Sequence, residues 1–210
     1  MNTTSEREAA GADPSVAGGE GGVPDSAVIE ASLRVPERFA ELFDRHAGAL
    51  YRYAARRLGA QHAEDVVAET FTRAFERRQG YDFGRTEALP WLYGITTNVI
   101  GSHRRAEVRA YRALARTGVD PAAPGFDEQV VARVAAGATR GRLAAALARL
   151  TQGERDVLLL IAWGDLTYEE TARALSVPVG TVRSRLSRAR GKLTRALGDG
   201  NTTDVPGETS

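Results

Sequence analysis

A run of basic residues near the C-terminus, between Pro178 and Arg195, has the composition of a surface that binds a polyanion. Its cations are Arg183, Arg185, Arg188, Arg190, Lys192 and Arg195, and it holds no acid. Apolar residues recur at Val182, Leu186, Ala189 and Leu193, the spacing of one buried stripe on a helix. An ordinary surface helix mixes both signs of charge, which argues against a merely solvated face. We therefore interpret this segment as a recognition helix that presents its basic side to duplex phosphates and base edges.

Two shorter helices are predicted just before the basic one. Each begins with a Thr-x-x-Glu capping box, in which the threonine and the glutamate satisfy free N–H groups at the helix start. The box at Thr167 opens a helix over Tyr168–Leu175, which ends before Pro178, and the box at Thr151 opens a helix over Glu154–Trp163. The short turn before the basic helix is typical of a helix-turn-helix.

Composition excludes several kinds of protein. The chain has 210 residues, 42% of them hydrophobic and 26% charged, with a net charge of +1 and no cysteine. Disulfides, thiol chemistry and cysteine-bound zinc are therefore excluded, and the isolated His46, His62 and His103 predict no metal site. The sequence has no membrane-spanning apolar run and no signal peptide, so we expect a cytoplasmic protein that does not insert into a membrane. It offers no catalytic constellation and no cofactor motif, so we expect no enzyme.

The chain divides into five parts, and the predicted fold class is all-α, with two small helical domains joined by a flexible linker. Residues 1–33 carry six acids against Arg7 and are rich in small residues, so we predict a disordered acidic tail. Residues 34–116 form the first domain, 117–139 the linker, 140–197 the second domain and 198–210 a second disordered tail. A short helix over Asp127–Ala136 is predicted inside the linker.

The first domain is predicted to contain three helices. The first runs from Pro36 to Gly59 on an apolar stripe that includes Phe43, and the second covers about 60–79. The outer face of the second helix holds Glu64, Asp65, Glu69 and Arg73, which suit either a partner or plain solvent. The third helix runs from Pro90 to Arg116, with Trp91 near its start and an arginine ladder later. Aromatic residues followed by arginines suit single-stranded bases and phosphates, although Trp91 also suits a core position.

Three motifs resemble the extracytoplasmic-function sigma factors, the small members of the sigma-70 family. They are Asp65–Phe71 (DVVAETF), Pro90–Ile95 (PWLYGI) with Asn98, and Gly180–Leu186 (GTVRSRL) with Arg188–Arg190. The resemblance implies a promoter-specificity subunit of bacterial RNA polymerase. The first domain would then be sigma region 2 and the second domain sigma region 4.

The resemblance also implies roles for particular residues. Core polymerase would be bound by Asp65, Glu69 and Arg73, which would meet the clamp helices of the largest subunit, while region 4 would meet the flap of the second-largest subunit. The minus-10 element would be read by Trp91, Asn98, Arg104 and Arg105. Bases of the minus-35 element would face Arg183, Ser184, Ser187 and Arg188, and phosphates would face Arg185, Arg190 and Lys192. An anti-sigma factor is a further partner that the resemblance admits.

Two other classes of protein remain open at this point. A stand-alone transcription regulator would use the same helix-turn-helix, with residues 34–116 as a sensing or dimerisation domain. An enzyme with an appended DNA-binding domain would need convergent acids or a metal site, and the sequence shows neither. The acidic tail is interpreted as plain disorder, against the alternative that it folds back over the basic helix.

Overall fold

Nine α-helices and two short 3-10 helices make up the part of the chain that the computed structural model describes, residues 23–117 and 130–198. No strand occurs within those ranges, which confirms the predicted all-α class. The helices are α1 (Asp25–Ser32), α2 (Ala40–Leu58), α3 (Ala60–Arg77), α4 (Leu89–Ser102), α5 (Arg104–Thr117), α6 (Val130–Arg149), α7 (Gln152–Trp163), α8 (Tyr168–Ala174) and α9 (Val179–Gly198). The 3-10 helices cover Pro36–Phe39 and Arg78–Gly80.

Helices α2, α3 and α4 pack around an apolar core that the predicted stripes supply. Leu42, Leu50, Val66 and Leu92 are fully buried there. Gly59 joins α2 to α3 with a φ of 88°, a left-handed conformation that costs glycine little. The predicted first helix is therefore correct in place, although Pro36 opens a 3-10 turn and α2 itself begins at Ala40.

The predicted N-terminal tail is too long. Residues 25–32 form α1, because Val28 and Ile29 are fully buried against the core and the helix start is hydrogen-bonded to the loop before α4. A stretch with few apolar residues can still fold when each of them is buried. The rest of the predicted tail, up to residue 22, lies outside the described residues, as does the second tail from residue 199 onward.

The predicted long helix from Pro90 to Arg116 is broken at His103. That residue has φ −94° and ψ 19°, and its N–H donates to the carbonyl of Ile100 at 2.8 Å, which closes α4 with a tighter turn. The residues at the break, Gly101 and Ser102, are poor helix formers. The Ser102 hydroxyl also donates to the carbonyl of Val99 at 2.6 Å. The arginine-rich segment therefore forms its own helix, α5.

The linker in the structure is shorter than the linker predicted from the sequence. Helix α6 begins at Val130, so residues 130–139 are helical, and residues 130–136 of the predicted short helix over Asp127–Ala136 are the start of a 20-residue helix. Residues 118–129 lie outside the described residues. Helices α5 and α6 pack closely, and a Cβ built on Gly141 would lie 2.9 Å from the carbonyl oxygen of Ala115. One continuous apolar cluster joins residues of both predicted domains, including Tyr53 and Leu160.

Helices α7, α8 and α9 form the predicted helix-turn-helix unit. Both capping boxes are present, with Thr151 and Thr167 as N-caps of α7 and α8. Ser176 takes a φ of 52° in the turn, and the N–H of Val177 donates to the carbonyl of Ala172 at 2.9 Å. The turn closes a small second cluster made of Val157, Ala172, Val182 and Leu186.

Candidate nucleic-acid interface

The outer side of α9 is a basic face. Val182 and Leu186 are buried against α7 and α8, and Ala189 is buried in the main core cluster, as their spacing predicts. The opposite side is exposed, and we define the basic face by its exposed members Arg183, Ser184, Ser187, Arg188 and Arg190. The major groove of B-DNA is wide enough to admit an α-helix, so an exposed basic helix face of this kind is suited to it.

Two predicted DNA contacts on α9 do not lie on that open face. Lys192 is half-buried, and its Nζ donates to Oε2 of Glu154 on α7 at 2.7 Å. Arg185 is also half-buried, and its guanidinium lies over Gly153 of α7, where an added Cβ would be 3.0 Å from Cζ. The start of α7 therefore positions one edge of the recognition helix.

Glu154 occupies a special place between α7 and α9. Its carboxylate accepts from the backbone N–H of Thr151 at 3.0 Å and from Lys192, and Oε1 lies 4.0 Å from Nε of Arg188. Burial alone would raise the pKa of this carboxyl, but hydrogen bonds from Lys192 and Thr151 outweigh burial and hold it below its ordinary value. Glu154 is therefore charged at neutral pH. The sequence shows Glu154 as part of a capping box and gives no sign of its contacts with α9.

Trp91 and Asn98 line a cavity of about 510 Å³ between α4, the loop before it and α8. Trp91 is half-buried, with its ring packed edge-on against Tyr81 at 5.1 Å, and Asn98 is exposed towards the cavity. Trp91 is thus both a neighbour of the core and a wall of the cavity. The far wall is formed by residues of the helix-turn-helix, namely Glu170, Arg173, Ala174 and Ser176.

The two arginines predicted alongside them lie elsewhere. Arg105 is exposed near the start of α5 and does not line the cavity, whereas the side chain of Arg104 lies outside the described residues. The structure therefore brings Trp91 and Asn98 together and does not bring Arg105 to them.

The cavity loop, residues 80–88, is held by two buried side chains. The hydroxyl of Tyr81 donates to the carbonyls of Arg85 at 3.1 Å and Glu87 at 3.0 Å. Burial and the nearby Asp25 and Asp82 raise the pKa of Tyr81 to about 12. Asp25, at the start of α1, accepts from the N–H of Ala88 at 2.9 Å and lies 2.7 Å from Nε2 of His46. The segment predicted to be disordered thus shapes the candidate site.

The outer face of α3 is open along its length. Asp65 is exposed, and Glu69 forms an ion pair with Arg73 one turn later. Phe43, predicted to be core, is 46% exposed on α2, with its ring 4.9 Å from that of Phe71. The helical stripe of α2 is wider than the groove that α3 covers, which leaves Phe43 at its edge. The structure therefore leaves all three predicted polymerase contacts accessible, next to an aromatic side chain.

A buried charge cluster joins α2 and α5 to α7. Its members were not predicted as functional or structural residues from the sequence. Arg57 of α2 donates to Glu107 of α5 and to Asp156 of α7, both at 2.6 Å, and Arg155 of α7 donates to the other oxygen of Glu107 at 2.8 Å. All four residues are buried. Burial opposes the charge of Arg57, but Tyr53, Glu107 and Asp156 raise its pKa well above the ordinary value. Glu107 is the lone acid among the arginines of α5, and that is the signal in the sequence that could have pointed to it.

Metal-binding and membrane-spanning features are not seen in the described ranges. No group of three His, Asp or Glu side chains there is placed to hold a metal ion. His46 contacts Asp25, while His62 and His103, far apart in sequence, have ring centroids 6.1 Å apart. No helix in those ranges is long and apolar enough to cross a membrane.

Comparison with family models finds two matches in chain order. Residues 42–110 match Sigma-70 region 2, and residues 140–193 match Sigma-70, region 4. The first match covers α2, α3, α4 and the start of α5, where Asp65 and Asn98 lie. The second covers the helix-turn-helix and the whole basic face.

Individual proteins agree with these matches. The ECF RNA polymerase sigma factor SigE of Mycolicibacterium smegmatis is 38% identical over 156 residues, which are 73% of this chain and 59% of SigE. The ECF RNA polymerase sigma factor SigL of Mycobacterium tuberculosis is 32% identical over 168 residues, which are 80% of this chain and 90% of SigL. The structure of CnrH in complex with the cytosolic domain of CnrY matches with a TM-score of 0.58 and 26% identity, over 85% of this chain and 99% of that one.

Proposed function

Because the chain belongs to the extracytoplasmic-function sigma factors of the sigma-70 family, we propose that it binds core RNA polymerase and directs it to promoters. It would read a minus-35 element with the α7–α9 unit and a minus-10 element with the α2–α5 unit. The observation that carries this proposal is the basic face of α9, which is exposed to solvent on a helix whose other side is buried. Recognition belongs to this chain, while catalysis belongs to polymerase in the cytoplasm.

Reading of the minus-35 element would use the major groove. Arg183, Ser184, Ser187 and Arg188 are exposed along the first turns of α9, where a recognition helix meets base edges. Arg190 lies further along and would meet phosphates. The Ser184 hydroxyl donates to the carbonyl of Thr181 at 3.0 Å, so its oxygen is directed and can still accept from a base.

Reading of the minus-10 element would use the cavity beside α4. Flipping a base out of a duplex costs a few kcal/mol, which a pocket and a stacking surface can offset. Asn98 offers an amide for the edge of such a base, and the rings of Trp91 and Tyr81 offer apolar walls. Arg104 and Arg105 would hold the strand by its phosphates as it leaves the cavity.

Docking on polymerase would use α3. Asp65, Glu69 and Arg73 share its outer face with the exposed edge of Phe43 nearby on α2. A charged face beside an aromatic group is the composition of an interface with a polar rim. The α7–α9 unit would meet the flap of the second-largest subunit, and an anti-sigma factor would compete for the same surfaces.

Transcription of a genomic fragment library from the source bacterium tests this function. Core polymerase with the full chain is expected to initiate at a small set of fragments that share two sequence elements, and core polymerase alone is expected not to. Specific binding of those fragments by the chain without polymerase would instead indicate a stand-alone regulator. Initiation without shared elements would overturn the proposal.

A further inference from the structure

Glu154 is placed to control the charge that the recognition helix shows to DNA. It is the third residue of α7, and its side chain is only 6% exposed. The capping box fixes its carboxylate at the helix start, because the N–H of Thr151 donates to Oε2 while the N–H of Glu154 donates to the threonine hydroxyl. The same oxygen accepts from Lys192, two turns beyond Arg185 on α9.

We propose that Glu154 is a specificity-determining positioning residue. It withholds Lys192 from the phosphates and orients the edge of α9 that carries Arg188. This inference rests on the proposed reading of duplex DNA by α9. It differs from a purely structural role because it predicts a change in how the protein selects sequences.

Burial makes the contact between Glu154 and Lys192 strong enough for that role. The carboxylate is charged and almost enclosed, so releasing Lys192 would leave it with fewer partners. The Lys192 side chain is 37% exposed and its partner is buried, so the pair is screened less than one on the open surface. Phosphate contact by Lys192 must therefore compete with a preformed partner inside the protein.

The position of Arg188 gives the specificity part of the inference. Its Nε lies 4.0 Å from Oε1 of Glu154, at the limit of an ion pair, and its side chain is 62% exposed. The guanidinium of Arg188 can therefore reach a base while its Nε stays close to the negative carboxylate of Glu154. A planar fork that is oriented before binding loses less freedom when it forms a bidentate contact with guanine.

The start of α7 supports α9 at a neighbouring point as well. Gly153 has no side chain, and the guanidinium of Arg185 occupies that space. Arg185, Arg188 and Lys192 follow one another along the edge of α9 next to α7, whereas Arg183 and Arg190 lie off that edge. The start of α7 therefore lies against one edge of the recognition helix.

A charge-neutral variant tests the proposal. Glu154→Gln keeps an oxygen for the capping box and removes the charge. Glu41→Gln makes the same change of charge on α2, a helix that packs on α3 and α4, where Glu41 forms an ion pair with Arg38. Each variant, as the full chain bound to core polymerase, is measured on minus-35 duplexes over a range of salt. Glu154→Gln is expected to steepen the dependence of log K on log salt by about one unit, and Glu41→Gln to leave it unchanged.

Sequence preference is the second measurement. Glu154→Gln is expected to lose part of the discrimination at the base pair that depends on Arg188, approaching the loss of Arg188→Ala itself. A good bidentate contact discriminates by roughly five- to 160-fold, so a partial loss is measurable by competition. A wild-type slope and wild-type preferences in Glu154→Gln would overturn the proposal.

Lys192→Ala tests the same contact without altering Glu154. It is expected to leave the salt slope unchanged in the wild-type background and to remove the extra unit in the Glu154→Gln background. An equal flattening in both backgrounds would show that Lys192 contacts phosphate regardless of Glu154 and would overturn the inference. If wild type itself prefers no duplex sequence, the proposed function fails together with this inference.

Discussion

The arginines on α9 differ in their contacts with the rest of the protein. Nε of Arg188 lies 4.0 Å from the carboxylate of Glu154, whereas Arg190 is exposed further along α9. A guanidinium that is aimed can read a guanine edge, because its two parallel donors match O6 and N7. A guanidinium without a fixed direction neutralises phosphate equally well on any sequence.

Arg188→Ala and Arg190→Ala should therefore fail differently. Arg188→Ala is expected to cost about 1–3 kcal/mol on the cognate minus-35 sequence and to relax preference at one base pair. Arg190→Ala is expected to weaken all sequences alike and to flatten the salt slope by about one unit. Competition over single-base variants of the duplex distinguishes them. Equal loss on every variant for Arg188→Ala would move base reading to Arg183 and Ser184.

Asp25 governs the loop that forms the cavity. Burial would raise its pKa, but hydrogen bonds from His46, from the N–H of Ala88 and from Arg45 outweigh burial and lower it. A carboxyl with a lowered folded pKa stabilises the fold above its unfolded pKa, about 4, and loses that contribution as pH falls through the folded value.

Asp25→Asn is accordingly expected to lower the free energy of unfolding by about 1–3 kcal/mol at pH 7. The difference from wild type should shrink below about pH 4, where the wild-type carboxyl is protonated too. Urea unfolding at several pH values measures both effects. Asp82→Asn is the control, because that carboxylate is 64% exposed in its pair with Arg85 and should change stability by less than about 1 kcal/mol. A pH-independent difference for Asp25→Asn would contradict the assignment.

Helix α3 has one buried side, which forms part of the core, and one exposed side, which is available to a partner. Val66, Thr70 and Ala74 are buried towards α2 and α4, and the opposite side stays open. Charge changes on the open side should therefore alter partner binding without altering the core.

Asp65→Arg with Glu69→Arg should weaken binding to core polymerase while the thermal unfolding midpoint changes little. Glu69 loses its ion pair with Arg73 in this variant, but an exposed pair of this kind contributes only about 0.3–0.5 kcal/mol. Glu30→Arg with Asp44→Arg, on the exposed sides of α1 and α2, is the control with the same change in charge. A pull-down with core polymerase measures the binding. Equal retention of both double variants would show that α3 is not the docking helix.

Whole elements were predictable from sequence where their causes are local. Both capping boxes form as predicted, and the stripe of Val182, Leu186 and Ala189 is buried, because a helix start and a helix face are set by residues within a few turns. Helix α1 was missed because its stability comes from burial of Val28 and Ile29 against distant helices. The same cause hid the partners of Glu107 and Glu154, since ion pairs between α5, α7 and α9 have no spacing rule.

The molecule as a whole is closed in this structure. The buried charge cluster fixes α2 and α5 against α7, and breaking such a cluster by removing one member costs about 3–5 kcal/mol. Helix α8 lies so close to α4 that a Cβ on Gly94 would be 2.6 Å from the carbonyl oxygen of Ala174. The cavity with Trp91 and Asn98 is therefore walled by the helix-turn-helix. If Asn98 binds a melted strand as proposed, α8 would narrow the path of that strand into the cavity.

Gly94→Ala should move α8 away from α4 and so widen the cavity. The new methyl group meets backbone rather than a flexible side chain, so α8 must shift, while alanine suits the interior of α4 by about 1 kcal/mol better than glycine. The full chain is expected to show a larger radius of gyration by X-ray scattering and tighter binding to a single-stranded minus-10 oligonucleotide. Gly101→Ala in the same helix is the matched control, because its methyl group meets only the flexible end of Gln152. Identical scattering and identical oligonucleotide affinity for the two variants would show that contact of α8 with α4 does not limit access to the cavity.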